Sequence, residues 1–535
     1  MNAATLRLRV DGREVTAAPG TSVAALLAQL HPGPGLPTRR SVRGEPRAPL
    51  CGMGVCQECR VGIDGQRRLA CQTLCHEGMV VSTIATVPGD GGPNVNDVAN
   101  GAGAAAMFAA RAPAESESCD LLVIGAGPAG LAAAAAAAPS GARIVVVDDN
   151  PAPGGQIWRH GVQVPATPAL KVRLAALERH ANITLLSGTR VLASASGPAL
   201  LLEDATQARL MRYRRLLLCT GARELLLPFP GWTLPGVTGA GGLQALVKGG
   251  LPVRGQRVVL AGSGPLLLAT AATLRRAGAK VLLIAEQAAP AAMARFALGL
   301  PRWPGKFAQA LRLWCPQWQA GRWVSAALGD ERLQAVVVQR PNGSQGPRGK
   351  TVHDRLACDR LACGFGLVPN VELGRMIGIA LDAGGALAVD ELQLTSVEHC
   401  LAAGECTGIA GQESASLQGA IAGHVAVGEL DAARALAAQL PRWQIFARSL
   451  QTAFALRSEL RALAEAETIV CRCEDVPHAA LQSEPGWIEA KLRTRCGMGP
   501  CQGRICGAAA QVLYGWAPPP AAKHLLGPVR IASLS

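Results

Sequence analysis

The first residues that could do chemistry are closely spaced cysteines near the start of the sequence. Cys51, Cys56 and Cys59 have the spacing C-x4-C-x2-C, and Cys71 follows a predicted hairpin strand. Four thiolates in this arrangement are typical ligands of a 2Fe-2S centre, and glycines within the first turn let the loop close tightly. A structural zinc site is the alternative. Cys75 competes for the fourth position, and we prefer Cys71 because it directly follows the strand.

A second group of cysteines lies near the end of the sequence and has a different spacing. Cys471 and Cys473 form a C-x-C pair, and Cys496 and Cys501 form a later C-x4-C pair. We predict that these four residues hold a second 2Fe-2S centre. A zinc ion is a stronger alternative at this site than at the first one, because two cysteine pairs can also provide a tetrahedron of thiolates. Cys506 is predicted to be a spare, buried cysteine.

The sequence from Cys119 predicts a strand, a glycine turn and a helix in immediate succession. The turn reads GAGPAG and contains Gly125, Gly127 and Gly130, and Asp148 ends the next predicted strand. Glycines at these positions let the backbone approach a pyrophosphate, and the acid binds ribose hydroxyls. This pattern predicts a dinucleotide site, to which the turn also contributes Pro128 and Ala129.

Three later turns are suited to the rest of a bound flavin. Two of them are the segments Gly154-Gly155-Gln156 and Thr220-Gly221, and the third follows an apolar strand within CLAAGECTGIAG. At the third turn a helix N-terminus could hold the phosphate and ribitol of the flavin. The predicted FAD-binding positions in these turns are Gly155, Gln156, Thr220, Gly221, Gly404 and Glu405.

A second strand-turn-helix unit follows the first, and its glycine pattern is incomplete. Gly262 and Gly264 are present, but Leu267 occupies the position of the third small residue. A leucine there should push the helix and strand apart and crowd a pyrophosphate. Glu286 lies where a ribose-binding acid belongs. The pattern therefore leaves open whether this unit binds NAD(P) or keeps the fold without a ligand.

Composition narrows the choice of compartment and partner. A net charge of +14 could indicate nucleic acid, but most of the 52 basic residues are arginine and no basic run carries interleaved aromatic residues. We therefore predict no nucleic-acid partner, and an acidic partner protein or peripheral contact with an anionic membrane stays open. Seventeen cysteines, no signal segment and no membrane-length apolar run lead us to expect a cytoplasmic protein with metal or redox sites.

Periodicity and turns divide the chain into an N-terminal β-grasp domain and two larger parts. The first 86 residues predict a hairpin at Asp11-Gly12, a helix capped by Thr21, a hairpin at Asp64-Gly65 and a final strand at MVVST. A linker without periodicity follows. We expect a multi-domain α/β protein. Its parts are a ferredoxin-like domain at 1–86, a linker at 87–117, an FAD/NAD(P)-binding oxidoreductase domain with two dinucleotide-binding units at 118–465, and a BFD-like 2Fe-2S domain with a tail at 466–535.

Taken together, these motifs resemble a known family. Residues 1–86 resemble the small 2Fe-2S subunit, and residues 118–515 the larger flavin subunit, of bacterial hydrogen cyanide synthase, opine oxidase and D-hydroxyproline dehydrogenase complexes, here fused. The same modules open the large subunit of heterotetrameric sarcosine oxidase. Three departures stand out: Glu405 replaces the usual Asp, the gap between Cys473 and Cys496 is short, and Leu267 weakens the nicotinamide site. The segments that carry the resemblance are GAGPAG, PAPGGQIWR, CTGARE, AAGECTGIAG, CRCEDV and CGMGPCQGR.

The resemblance implies an electron-transfer component of an amino acid or opine dehydrogenase complex. In such complexes a separate FAD-dependent subunit oxidises the amine or amino acid, and this chain would pass electrons between FAD and two 2Fe-2S clusters. Two alternatives stay open. One is a free-standing NAD(P)H-dependent reductase that feeds the clusters through FAD, and the other is a redox-sensing scaffold without turnover. Substrate, terminal acceptor and catalytic residues are not assigned by the sequence.

Overall fold

The structure is a computed structural model of the chain, and it describes residues 5–31, 37–83, 116–341, 351–517, 525–530 and 533. The predicted linker, 87–117, lies outside the described residues except for its last two positions. Among the described helices, none combines the length and apolar character needed to cross a membrane.

The N-terminal part is a five-stranded sheet with one helix, as predicted for a β-grasp domain. Both hairpins form, and their Asp-Gly turns take the positive φ angles that two-residue hairpin turns require. The helix Val23–Leu30 is capped by Ser22, whose side chain accepts a hydrogen bond from the Ala25 amide. The prediction of Thr21 as the cap was therefore wrong by one residue. The sheet order is Arg13–Ala17, Leu6–Val10, Val80–Ser82, Arg60–Ile63 and Gln66–Leu69, and a separate short pair joins Arg39–Arg40 to Pro46–Arg47.

The first dinucleotide-type unit contains the strand, turn and helix predicted from Cys119. The helix Gln412–Ala426 packs closely on Pro128–Ala137, because Gly419 and Gly423 carry no side chain where the two helices touch. The helix Pro168–Leu177 belongs to the same unit. The sheet runs in the order Ile183–Ser187, Ile144–Asp148, Glu117–Ile124, Ala208–Leu218, Ala199–Glu203 and Arg190–Ala195, and Cys400–Ala402 pairs in parallel with the end of Ala208–Leu218.

The second dinucleotide-type unit is a five-stranded parallel sheet. Its strands run in the order Val237–Gly239, Arg360–Gly364, Arg257–Gly262, Lys280–Glu286 and Trp318–Ala320. Its helices are Ala240–Lys248, Leu266–Arg276, Pro290–Gly299 and Pro304–Leu313. A three-stranded antiparallel sheet follows with Trp323–Leu328, Ala335–Pro341 and Thr351–Ala357, and Ala222–Glu224 pairs with Leu367–Pro369 beside the short helix Glu372–Met376.

The C-terminal part is small and mostly helical. It follows the helices Leu430–Ala437 and Leu440–Ala453, and it contains the strands Ile469–Cys471 and Val476–Pro477 and the helices Trp487–Thr494 and Cys506–Tyr514. One hydrophobic core includes Leu50, Val259 and Cys471, so the first thiol loop, the second dinucleotide-type unit and the C-terminal part pack together. The predicted multi-domain α/β architecture is therefore observed, with an N-terminal β-grasp sheet and two dinucleotide-type units.

Candidate flavin and iron-sulfur sites

The first thiol group lies in a buried loop between the N-terminal strands. Cys51, Cys56, Cys59 and Cys71 are all buried. Backbone amides point at the sulfurs: the Cys56 amide lies 3.3 Å from the Cys51 Sγ, and the Cys71 amide lies 3.5 Å from the Cys59 Sγ. Gly52 has φ +61, a left-handed conformation that glycine adopts without strain. Buried thiols with amide donors around them fit a 2Fe-2S centre, whose potential depends on hydrogen bonds to sulfur.

Cys75, the competing fourth ligand, is placed differently from Cys71. All three residues lie in the same hydrophobic core, but the thiols of Cys59 and Cys71 are hydrogen-bonded to each other, while the Cys75 amide is bonded to the Thr21 carbonyl. The positions of these side chains support Cys71 as the fourth ligand.

The second thiol group contains one more member than the sequence prediction. The Sγ atoms of Cys471, Cys496 and Cys506 lie within 4.8 Å of one another, and Cys473 is hydrogen-bonded to Cys501. Cys506 was predicted to be a spare, but its thiol faces the group, at the first residue of the helix Cys506–Tyr514. Cys501 and Cys506 repeat the C-x4-C spacing of Cys496 and Cys501, and that repetition is the sequence signal that could have indicated it.

The glycine turn of the first unit forms a cradle with a second glycine turn. A side chain at Gly127 would meet only the Cα of Gly155, at 3.8 Å, so the space in front of it is open. Gly155 has φ +58, and a side chain there would lie 2.9 Å from the Cα of Gly127. Gly125 and Gly130 are needed for another reason, because a Cβ at either would collide with backbone. This cradle fits a pyrophosphate at the start of the helix Pro128–Ala137.

The predicted acid of this site is buried at the end of its strand. The Asp148 carboxylate accepts hydrogen bonds from the Ala126 amide at 2.5 Å and from the Asn150 side chain at 2.7 Å. Burial is the largest influence on the pKa of Asp148 and raises it, whereas these hydrogen bonds act to lower it. Asp148 is thereby tied directly to the glycine turn, at the position where a ribose would lie.

The remaining predicted flavin positions lie around the same cradle. Asn370 bonds the Thr220 carbonyl at 2.9 Å and receives a bond from the Thr220 hydroxyl at 2.7 Å, which fixes the Thr220-Gly221 turn. A Cβ at Gly404 would lie 2.8 Å from the Ala129 Cβ, so this turn touches the first helix. Glu405 begins a short 3-10 helix rather than an α-helix, which differs from the prediction. Gln156 is half-buried beside the cradle.

The glycine turn of the second unit is covered by the chain itself. The Ser263 hydroxyl donates to the Phe454 carbonyl at 2.9 Å, and the Gln287 side chain donates to the Ala455 carbonyl at 3.1 Å. The Arg457 amide donates back to Gln287 at 3.0 Å. Glu286, the predicted ribose acid, is completely buried and accepts a bond from the Gly264 amide at 2.8 Å. These bonds place residues 454–457, the covering segment, beside the glycine turn.

Two arginines connect the thiol groups to the cradle. Arg159 donates to the Gly52 carbonyl of the first thiol loop, and it also donates to the Asn150 side chain at 2.7 Å. Arg223 donates to the Arg504 carbonyl, between Cys501 and Cys506, at 3.1 Å, and to the Asn370 side chain at 2.8 Å. Each thiol group is therefore linked through one arginine to a residue that holds a flavin-cradle turn.

This arrangement of a glycine cradle and an N-terminal thiol loop defines a FAD-dependent oxidoreductase with a 2Fe-2S domain. The chain belongs to the pyridine nucleotide-disulphide oxidoreductase family, whose model matches residues 119–424. A model of the 2Fe-2S iron-sulfur cluster binding domain matches residues 3–86.

Known relatives confirm the resemblance stated from the motifs. The HcnB subunit of hydrogen cyanide synthase from Pseudomonas aeruginosa is 31% identical over 421 residues, covering 72% of this chain and 90% of the relative. An opine oxidase subunit from Rhizobium meliloti is 32% identical over 423 residues, with 72% and 90% coverage. The crystal structure of L-proline dehydrogenase from P. horikoshii aligns with 100% of this chain and 98% of its own, with a TM-score of 0.66 at 18% identity, which shows a shared fold.

A pair of cysteine variants tests the first thiol group. We expect Cys71→Ser to lose the visible absorption and the EPR signal of the N-terminal 2Fe-2S centre, because one of four thiolates is removed. Cys75→Ser, the matched control at another buried cysteine, should keep both signals. Loss of the centre in Cys75→Ser with retention in Cys71→Ser would show that Cys75 is the ligand.

A glycine variant tests the cradle. We expect Gly127→Val to be purified without FAD, because the side chain fills the open space in front of the turn, while its extended backbone (φ −79, ψ −171) suits valine. Gly127→Ala should weaken FAD binding less. Flavin content is measured by absorbance and folding by circular dichroism, and normal flavin content in folded Gly127→Val would place the cofactor elsewhere.

Proposed function

We propose that this protein is the electron-transfer component of an amino acid or opine dehydrogenase complex, with FAD in the first dinucleotide-type unit and a 2Fe-2S centre at each thiol group. The observation that carries this proposal is the pair of arginine links, Arg159 and Arg223, that join each thiol group to the cradle. Redox sites that exchange electrons must lie close together, and these contacts hold all three sites in one packed unit.

The cradle residues would hold the dinucleotide part of FAD. Gly127 leaves room for the pyrophosphate, Gly125 and Gly155 let the neighbouring backbone approach closely, and Asp148, bonded to the same turn, would bind the ribose. Gln156, Thr220, Gly221, Gly404 and Glu405 would lie along the rest of the flavin. When bound, FAD would accept electrons in pairs and pass them on one at a time, since each 2Fe-2S centre takes one electron. The chain's own contribution is to position these groups and exclude water from between them.

The ligand set of the second centre is part of this proposal. Cys471, Cys473, Cys496 and Cys501 are the set from the sequence, and Cys506 is an additional candidate because its thiol lies in the same group. The domain boundaries 1–86, 118–465 and 466–535 are proposed on the same basis. All seventeen cysteines are described, buried and free of disulfides, which supports a reducing, cytoplasmic location.

The relatives support a partner subunit. Hydrogen cyanide synthase HcnB and the opine oxidase relative are each named as a subunit of a larger enzyme. We infer that a separate FAD-dependent subunit oxidises the amine or amino acid, and that this chain receives its electrons. Oxidation of an amino acid requires a pocket that fixes the carboxylate and places the C–H bond over a flavin. No motif in this sequence marks such a pocket.

The nicotinamide alternative is weakened by the covering segment 454–457. Five hydrogen bonds join this segment to Ser263 and Gln287, beside the glycine turn where NAD(P)H would bind. Burial also raises the pKa of Glu286 to about 7. These features favour a second unit that is kept for packing.

Metal content tests the two-centre proposal. Protein purified without air should hold about four irons and four labile sulfides per chain, the content of two 2Fe-2S centres. Cys473→Ser, which changes only the second group, should hold about half as much of each. Two irons in the wild-type chain, or zinc in the second group, would contradict the proposal.

The need for a partner is tested by anaerobic flavin absorbance. Glycine, sarcosine, D-hydroxyproline or an opine should leave the flavin of the isolated chain oxidised, and NADH should do the same. Addition of the amino-acid-oxidising flavoprotein that co-purifies with the chain should start reduction, and Gly127→Val is the matched control without flavin. Rapid bleaching of the flavin by an amine alone would place the dehydrogenase site in this chain. Bleaching by NADH would identify a reductase. If the flavin is not reduced even with the partner present, the result would favour a sensor.

A further inference from the structure

A buried ion pair joins the two thiol groups directly. Glu58 lies between Cys56 and Cys59, and Arg472 lies between Cys471 and Cys473. The Arg472 Nε donates to the Glu58 Oε1 at 2.7 Å, and the side chains are 4% and 1% exposed. The loop that carries the first thiol group is thus bonded to the loop that carries the second, by residues adjacent to the candidate ligands.

Several further contacts fix the two side chains. Arg39 donates from Nε to the other Glu58 carboxylate oxygen at 2.8 Å and from Nη2 to the Arg472 carbonyl at 3.1 Å. The Arg472 guanidinium also donates to the Trp232 carbonyl at 3.0 Å and lies over the Trp232 ring, 4.9 Å from its centroid. Glu58 is therefore held by two arginines, and Arg472 has a single well-determined position.

A second buried pair lies beside the first. Arg47 bonds Asp475 at 2.6 Å, again between the N-terminal part and the C-terminal part. Three arginines and two carboxylates are thus buried between the thiol groups, which leaves one excess positive charge. Buried ion pairs contribute little net stability compared with apolar residues of similar volume. A role beyond holding the fold therefore has to be considered for this arrangement.

We propose that Glu58 and Arg472 are positioning residues shared by both iron-sulfur sites, and that their buried charges set the reduction potentials of the two sites together. This proposal rests on the proposed function, since it requires a centre at each thiol group. When either centre accepts one electron, the unit gains one negative charge, which the excess positive charge stabilises. The same added charge opposes reduction of the neighbouring centre, so the two sites behave as one coupled unit.

Opposite charge changes at the two residues test the proposal. Glu58→Gln removes a negative charge and should raise the midpoint potentials of both centres. At a fixed potential we expect about a tenfold change in the ratio of reduced to oxidised centre, which equals a shift of about 59 mV for one electron. Arg472→Gln should lower both potentials. A residue that only held the loops in place would not give shifts of opposite sign. The potentials are measured by EPR at a series of applied potentials.

The matched control is Glu203→Gln, since Glu203 is also a buried carboxylate held by two arginines, Arg190 and Arg530, but it contacts neither thiol group. Both potentials should be unchanged in this variant. A shift of only one centre in Glu58→Gln and Arg472→Gln, shifts of the same sign, or no shift would overturn the proposal.

A measurement on the unaltered protein keeps the test independent of variant folding. When the unaltered protein is titrated, the potential of each centre should depend on whether the other is reduced, so the two EPR titration curves should depart from independent one-electron curves. Two independent one-electron curves would overturn the inference. Iron content is measured on the same samples, because two irons instead of four would contradict the proposed function itself rather than the coupling.

Discussion

The close backbone contact between Gly52 and Gly242 is the constraint on which the arrangement of sites depends. A side chain at Gly52 would lie 2.7 Å from the Gly242 carbonyl oxygen, and the Gly239 amide donates to the Leu50 carbonyl at 2.9 Å. These contacts seat the first thiol loop on the start of the helix Ala240–Lys248. Only with the loop in this position can Arg159 reach the Gly52 carbonyl from the flavin side. Because both positions need glycine, a larger residue at either would move the loop and separate the sites.

The charges buried between the thiol groups matter mainly for the two sites that they connect and little for net stability. Removing Glu58, Arg39 and Arg472 from water is unfavourable, and their mutual hydrogen bonds offset that loss without a large surplus. Burial is the largest cause that raises the pKa of the Cys56 thiol, and the hydrogen bond with Cys501 is the largest cause that raises the pKa of the Cys473 thiol. The negative charge of Glu58 is a smaller cause that raises both pKa values. One carboxylate therefore acts on ligand candidates of both groups. An apolar contact could join the same loops, but it would leave no charge to respond to electrons.

Local patterns in the sequence were enough to predict the β-grasp hairpins, the first fingerprint and the two cysteine groups. Each of these depends on residues close together in the chain, such as Asp64 with Gly65, whose conformational preferences act locally. The misplaced helix cap, Thr21 instead of Ser22, is an error of one residue where both side chains can accept the same bond. The pair of Glu58 and Arg472 could not be predicted, since 414 residues separate them and no periodicity connects them. The inward position of Cys506 and the covering segment 454–457 depend likewise on tertiary packing.

The second dinucleotide-type unit shows why a nucleotide fold can persist after its glycine pattern has changed. Leu267 is fully buried in the core, and the helix that contains it is capped by Pro265, one residue beyond Gly264, whereas the first helix is capped by Gly127 itself. In a dinucleotide-binding unit this position lies where the helix packs on the strand, which is why a small residue is usual there. Yet this unit seats the first thiol loop on one helix and shares a core with the second thiol group. Substitutions that alter the packing of this unit would therefore displace both thiol groups at once.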